Sequence, residues 1–406
     1  MLFLALRLGD AVSVAAGMWF VPRYVSPEDI GAVLPLTSFA TFLSLPLFAF
    51  AMTVMKESAC LSANGERGKL KTLLSGVFAV SAALLAAVLA CAAFAMPRFL
   101  EAMRVPDAAA GFLVVAAALL GCAAPIYTDA LQAMKRFRAL GAVEFLGSVA
   151  RFAAMAAVMP FRALAGYFAG QATLPAFRIA ASAFLLRRDL AVPAEPFWNK
   201  ASARRLGTAF LLVLAYQAAP MFAALVEQAV LRTSCSAVDS AGYYMASRFS
   251  DFLNYITFPL LIVLFPYTAS AAQEGRSTRP FVAKCSAVAM AAAALMAVAY
   301  AFFGREFLAL MPHGEDYASY ACYMPWLVIG CALTACQVFY ANAEVSAGRF
   351  GFLAWLVPLH LAYPVALYAA AKLGYANSLP VIVAWICAAS ALRFVFAASA
   401  ALRQKA

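Results

Sequence analysis

The chain has 406 residues, is 66% hydrophobic and has a mean hydropathy of +0.85. Only 12% of its residues are charged, about half of the ~25% usual in water-soluble domains, which excludes an ordinary soluble fold. The net charge is +11, but the basic residues sit in short loops without a nucleic-acid-binding motif, so no nucleic-acid partner is expected.

A chain surrounded by lipid must satisfy its own backbone hydrogen bonds, which leaves helices or closed barrels. Runs such as Leu73–Met96 are apolar on all faces and lack the alternation of a barrel strand. Each is long enough to cross a hydrocarbon layer ~30 Å thick as a helix of ~20 residues. In chain order the predicted spans are 4–21, 31–55, 72–96, 108–134, 142–160, 164–186, 206–231, 241–268, 282–303, 320–343, 351–371 and 377–402. The first apolar run begins at once, without a basic leader, and reads as a retained span rather than a cleaved signal. The expected fold is an all-α integral membrane protein of about 12 transmembrane helices.

The second half of the chain echoes the first about 210 residues later. Glu28-Asp29-Ile30-Gly31 is answered by Asp239-Ser240-Ala241-Gly242, and each leads into an apolar run interrupted by proline, at Pro46 and Pro259. The polar loop Ala63-Asn64-Gly65-Glu66-Arg67 is matched by Gln273-Glu274-Gly275-Arg276. Pro97-Arg98-Phe99-Leu100 is matched by Arg305-Glu306-Phe307-Leu308, Gly121-Cys122-Ala123 by Gly330-Cys331-Ala332, and Arg136-Phe137 by Arg349-Phe350. Two repeated six-helix lobes follow, 1–186 and 206–406, joined by a linker at 187–205 that contains Pro193 and Pro196. Repeated helical halves in lipid are a mark of transporters that bind substrate between two bundles.

Nineteen Lys and Arg residues fall on the side of the termini and seven on the other. Positive residues stay cytoplasmic, which places both termini in the cytoplasm. The remaining four basic residues lie inside spans, where a charge costs ~2.5–3.5 kcal/mol on insertion scales and marks a bundle interior or watery cavity. In the eighth span Tyr244, Arg248, Asp251 and Tyr255 fall on one stripe of the helix, with Phe249, Phe258 and Leu260 on the opposite, lipid-facing side. Arg248 and Asp251 can pair at i,i+3, either as glue between helices or with Arg248 presented to an anion. Glu144 shares a face with Arg151 in the fifth span, and Gln171 with Arg178 in the sixth. Neither arginine has an acid within four residues on its own helix, so each finds a partner elsewhere or serves an anion. Arg7 and Asp10 form a further i,i+3 pair near the end of the first span. Tyr216, Gln217 and Pro220 make a segment of the seventh span where a helix could hinge. Arginine binds phosphate oxygens bidentately and keeps its charge, so a cationic cavity suits an anionic, phosphorylated amphiphile.

The nine cysteines form no Cys-x-x-Cys pair and the two histidines complete no ligand set, so neither a metal nor a cofactor is expected. His313, in an external loop, and His360, in the eleventh span, read as structural. No P-loop, nucleophile elbow or metal-binding helix motif is present. External loops of about 10–16 residues are ordinary connections, so a membrane enzyme is not expected.

Gly242-Tyr243-Tyr244-Met245-Ala246-Ser247-Arg248, followed by Phe258-Pro259 and Val263-Leu264-Phe265-Pro266, resembles the eighth span of the polysaccharide transporter family. These are oligosaccharide flippases of the multidrug/oligosaccharidyl-lipid/polysaccharide (MOP) superfamily. Pro27-Glu28-Asp29-Ile30-Gly31 is similar to the turn that opens the family's second span, and Gln132 through Arg138 to its loop after the fourth. With the twelve-span repeat, the resemblance covers essentially the whole chain. It implies a bacterial inner-membrane flippase, with a MATE-like fold, for oligosaccharide units carried on undecaprenyl diphosphate in O-antigen, capsule or exopolysaccharide synthesis. The glycan headgroup would enter a cationic cavity between the lobes while the prenyl chain stays in lipid. Arg151, Arg178 and Arg248 suit that cavity, with Asp251, Tyr244 and Tyr255 beside them, and Asp10, Glu227 and Asp251 are candidate ion-coupling sites. Partners would be the bilayer, the lipid-linked glycan, and a polysaccharide polymerase or chain-length protein. The alternatives are a MATE-type cation-coupled drug exporter and a lipid II flippase. The chain departs from longer relatives in lacking a thirteenth and fourteenth span and in starting close to its first.

Overall fold

In a computed structural model, which describes residues 19–403 apart from 106, 134–135, 188–190, 275 and 347–348, every regular element is a helix. The first predicted span, with Arg7 and Asp10, lies almost wholly outside the described residues. A single turn at Pro27–Ile30 precedes α1 (Val33–Leu43) and α2 (Leu45–Ala63). Then follow α3 (Arg67–Ala102), α4 (Ala108–Ala133), α5 (Phe137–Val158), α6 (Ala163–Leu186) and α7 (Lys200–Ser234). The later helices are α8 (Ala237–Ser250), α9 (Asn254–Gln273), α10 (Arg279–Ala309), α11 (Met324–Ser346), α12 (Leu353–Lys372) and α13 (Leu379–Arg403).

Among the described residues eight helices are long and apolar enough to cross a membrane, and α1 with α2 makes a ninth, bent span. The two predicted spans missing from that set are α6 and the broken pair α8/α9. The architecture is the expected all-helical, multi-pass membrane fold.

The spans at 31–55 and 241–268 are both broken. The first bends by 59° between Leu43 and Leu45. Ser44 closes α1 there, its N–H donating to the Ala40 carbonyl at 2.9 Å and its Oγ to the Thr41 carbonyl at 2.9 Å. Pro46, which has no N–H to donate, stands in the first turn of α2, where that lack is tolerated. The second break is a 3-10 turn at Asp251–Leu253 between α8 and α9, one to two turns before Pro259. Both halves of the repeat therefore interrupt the same span at corresponding places. The proposed hinge at Tyr216, Gln217 and Pro220 lies inside α7, which runs unbroken for 35 residues through the proline.

The chain forms two compact units, Met1–Leu225 and Val226–Ala406. In the first, Leu70, Leu73, Leu74 and Val77 of α3 pack with Val54 of α2 and Ile126 of α4. The segment after α6 is tied to this core: Lys71 Nζ donates to the Val192 carbonyl at 2.8 Å, Thr72 Oγ1 to the Glu195 carbonyl at 2.7 Å, and the Phe197 ring enters the cluster. In the second unit Leu264, Val282, Cys285, Cys336 and Phe339 form the corresponding cluster of α9, α10 and α11. Cys285 and Cys336 act there as small apolar fillers, the usual use of a buried free cysteine.

Candidate functional site

In the first unit the charged residues are placed by glycine. Gly166 and Gly170, one turn apart on α6, face Met159 and Met155 on the α5 side: a Cβ at Gly166 would lie 2.5 Å from the Met159 backbone nitrogen, and one at Gly170 2.1 Å from Met155 Cγ. This small-xxx-small surface brings two membrane helices into close contact. The approach sets Arg178 of α6 against Glu144 of α5, and a guanidinium nitrogen Nη2 of Arg178 donates to Glu144 Oε2. Both side chains are about one-quarter exposed. Arg178 is thus held as half of an inter-helix ion pair, while its Nε has no acceptor among the described residues. Arg151, on α5 two turns from Glu144, is buried with 8% exposure.

In the second unit α8 begins with a capping box. Ser236 Oγ accepts from the Asp239 N–H at 3.0 Å, and Asp239 Oδ2 accepts from the Ser236 N–H at 3.3 Å. Tyr320 locks the same turn, its hydroxyl donating to Asp239 Oδ1 at 2.9 Å. The Tyr320 ring lies directly against Gly242, where a Cβ would come within 2.4 Å of it. The glycine of the Gly-Tyr-Tyr segment is thus required by close packing.

One and a half turns on, Arg248 Nη1 meets Asp251 Oδ2 at 3.1 Å, with 29% and 39% of the two side chains exposed. The guanidinium lies 5.0 Å from the centroid of the buried Tyr244 ring, a cation–π contact. Asp251 also accepts from Asn254 Nδ2 at 3.5 Å. Tyr255 is half-buried beyond the 3-10 turn, its ring 6.2 Å from that of Phe252. The predicted stripe is therefore divided: Tyr244 and Arg248 belong to α8, Asp251 to the turn and Tyr255 to α9. Phe249 departs from its predicted place facing lipid. It is 7% exposed and packs edge-on against Tyr300, whose hydroxyl donates to the Phe249 carbonyl at 2.9 Å. Phe258, 46% exposed, does lie at the surface.

A third cluster is only partly legible in the sequence. Glu227, near the end of α7, accepts from the Tyr363 hydroxyl at 3.0 Å on Oε2 and from Gln228 Nε2 at 3.2 Å on Oε1. Arg393 of α13 lies over the Tyr363 ring at 5.3 Å and within electrostatic reach of Glu227. Its Nε donates to the Ala389 carbonyl at 3.0 Å, and its Nη1 is 3.3 Å from His360 Nδ1. A guanidinium only donates, so Nδ1 is the acceptor and the imidazole is neutral with its proton on Nε2. Tyr363, His360 and Arg393 are each less than one-tenth exposed. Sequence reasoning singles out Glu227 and His360 separately, one for ion coupling and one as structural, and counts Arg393 among the four in-span cations without a role. The available signal is His360 and Tyr363, three apart on one face of α12. Among the described residues no group of His, Cys, Asp and Glu could hold a metal ion.

No known family profile matches the chain, and no curated protein matches it in sequence. Its fold, however, is found in solved structures. An inward-facing multidrug resistance MATE family transporter of the MOP superfamily superposes with a TM-score of 0.67 at 14% identity, over 97% of this chain and 95% of that one. A point mutant of the Vibrio cholerae MATE transporter VcmN gives 0.63 at 16% identity, over 98% and 93%. A MOP superfamily transporter from Pyrococcus furiosus, described by a reverse polarity of its binding pocket that suggests a different function, gives 0.66 at 12% identity, over 99% and 92%. These likenesses run the length of both partners, and the chain has the twelve-helix fold of the MATE transporters.

Proposed function

We propose that the chain is a transporter of the MOP superfamily that flips undecaprenyl-diphosphate-linked oligosaccharide units across the bacterial inner membrane by alternating access. The observation that carries this reading is the arginine content of the predicted spans: Arg151, Arg178, Arg248 and Arg393 lie on α5, α6, α8 and α13. A cation-exporting site is expected to present acids and aromatic rings without arginine. An anionic diphosphate headgroup is matched by guanidinium groups held over rings and beside carboxylates. Arg248 is the residue best suited to the headgroup, since its ion pair with Asp251 is part-exposed and can exchange one anion for another. Tyr244 and Tyr255 supply ring faces for sugars. Arg151 and Arg178 play the same part in the first unit. Glu227 and Asp251 couple lobe movement to an ion gradient, and Asp10 is a further candidate outside the described residues. The basic side, with both termini, faces the cytoplasm, and the exported units are consumed by a polysaccharide polymerase with its chain-length protein.

The second reading is a cation-coupled drug exporter, favoured by the MATE transporters that share the fold. The Pyrococcus furiosus protein supports keeping cargo and fold apart, since its pocket is described as reversed in polarity. The test is reconstitution in liposomes with a fluorescent undecaprenyl-diphosphate oligosaccharide. Protein-dependent movement of the headgroup between leaflets, lost in Arg248→Ala, is the expected result. Uptake of a cationic dye on a sodium or proton gradient, with no glycan movement, would establish the exporter. Cell lysis on depletion, rather than loss of surface glycan alone, would mark a lipid II flippase.

A further inference from the structure

The second unit contains a cavity of about 340 Å³ at the end of the bundle that bears the basic loops. Its size is within the ~300–1,000 Å³ range of small-molecule sites. It lies wholly within the second unit, among α10, α11, α12 and α13. The wall is apolar, built by Val282, Ala341, Phe352, Trp355, Leu356 and Ala397. Its polar groups are few and run in depth order. Arg279 and Thr278 stand at the start of α10, Arg349 before α12, and Gln337 and Tyr340 lie further down α11.

Three of these polar side chains have unused hydrogen-bonding capacity. Thr278 occupies the N-cap of the 31-residue α10 without a side-chain capping bond. Arg279 makes no ion pair among the described residues, although it sits in the first turn of α10. A cation there opposes the positive end of the helix dipole, and an anion between them would relieve both. Gln337 is 4% exposed and makes no side-chain hydrogen bond among the described residues. An amide that faces a cavity without a protein partner is available to a ligand. The acid at the mouth is already compensated: Glu344 takes a two-point contact from Arg349, Nε to Oε2 and Nη2 to Oε1, each 3.3 Å. Gln337 lies seven residues before Glu344 on α11, about 10 Å deeper at 1.5 Å per residue.

We propose that this cavity binds one anionic glycerophospholipid from the leaflet on the basic-loop side. Its phosphate sits between Arg279 and the open N-terminus of α10, its ester group meets Gln337, and one acyl chain fills the apolar wall. The order of the polar groups argues for a lipid over free phosphate, because a phosphate alone would leave Gln337 and the apolar depth unused. The site is separate from Arg248 and does not depend on the transported cargo.

Trp355, part of the wall, is a built-in reporter. The full chain is reconstituted in phosphatidylcholine vesicles containing a fixed fraction of phosphatidylglycerol or phosphatidylcholine brominated in its acyl chains. The difference in emission between the unaltered protein and Trp355→Phe isolates the cavity signal. Brominated phosphatidylglycerol is expected to quench that signal severalfold more than brominated phosphatidylcholine, and Arg279→Gln and Gln337→Leu each to reduce the excess. The phosphatidylcholine quench, set by bulk lipid, should be unchanged in both variants, which controls for misfolding. Equal quenching by the two lipids would overturn the proposal. Displacement of phosphatidylglycerol by inorganic phosphate at constant ionic strength would overturn it in favour of a free-anion site.

Discussion

Arg178, Arg248 and Arg393 reach the same end by three different means. Arg178 crosses to another helix for Glu144, Arg248 finds Asp251 three residues on, and Arg393 is held by a ring, an imidazole and a carbonyl while acting on Glu227 at longer range. Part-exposed pairs contribute little to stability, about 0–1 kcal/mol, so Arg248→Ala should leave the thermal midpoint in detergent nearly unchanged while abolishing headgroup movement. A collapse of the folded protein would assign Arg248 a purely structural role. Glu227 is the opposite case. Its carboxylate takes hydrogen bonds from the buried Tyr363 and Gln228, and leaving both donors without an acceptor costs about 1–3 kcal/mol each, so Glu227→Ala should lower the midpoint markedly. Tyr363→Phe deletes one charge-assisted hydrogen bond, worth about 1.5–3 kcal/mol, and should fall between. Thermal unfolding of the three variants side by side checks the ranking. The sequence made the pair of Arg248 and Asp251 readable because the partners are three residues apart, a spacing that the end of α8 and the 3-10 turn after it keep within reach. It could not reveal the partner of Arg178, nor join Glu227 to Arg393, because those pairings depend on which helices become neighbours.

At the scale of elements, helix positions were largely legible because lipid imposes one length and one polarity on every span. The predicted edges fall short where helices continue beyond the hydrocarbon layer: α3 has 36 residues and α7 has 35. The prolines signalled interruptions near Pro46 and Pro259, yet Pro220 is absorbed within α7. A proline removes one hydrogen bond, and whether the helix breaks depends on what packs around the freed carbonyl. Close packing was the least visible feature, since a glycine in a span reads the same whether it faces lipid or a neighbour. Gly166 meets backbone at Met159, whereas the nearest atom to Gly170 is the flexible Met155 side chain. Gly166→Ala should therefore be the more destabilising of the two. Overpacking of this kind costs about 1–3 kcal/mol, and it would draw Arg178 away from Glu144. Equal midpoints for the two alanine variants would show that Met159 yields as readily as Met155.

For the whole molecule, the repeat makes a demand that no single helix does. If each half contributes six spans, equivalent loops must emerge on the same face of the membrane. Asn64 and Glu274 occupy equivalent loops, after the broken spans α1/α2 and α8/α9. His313, in the loop after α10, is expected on the other face. The three are exposed, so single cysteines placed there in a cysteine-free background report sidedness directly. That background is needed because Cys91 and Cys322 are themselves exposed. A membrane-impermeant maleimide added to intact cells should label position 313 and spare 64 and 274 until the membrane is opened. Labelling of 64 and 274 from opposite faces would mean an odd number of crossings between them, and a repeat of that kind would be inverted. The charge distribution argues against inversion: the loops around 64 and 274 are both basic, while the segment around 313 has acidic Glu315 and Asp316 and no nearer cation than Arg305.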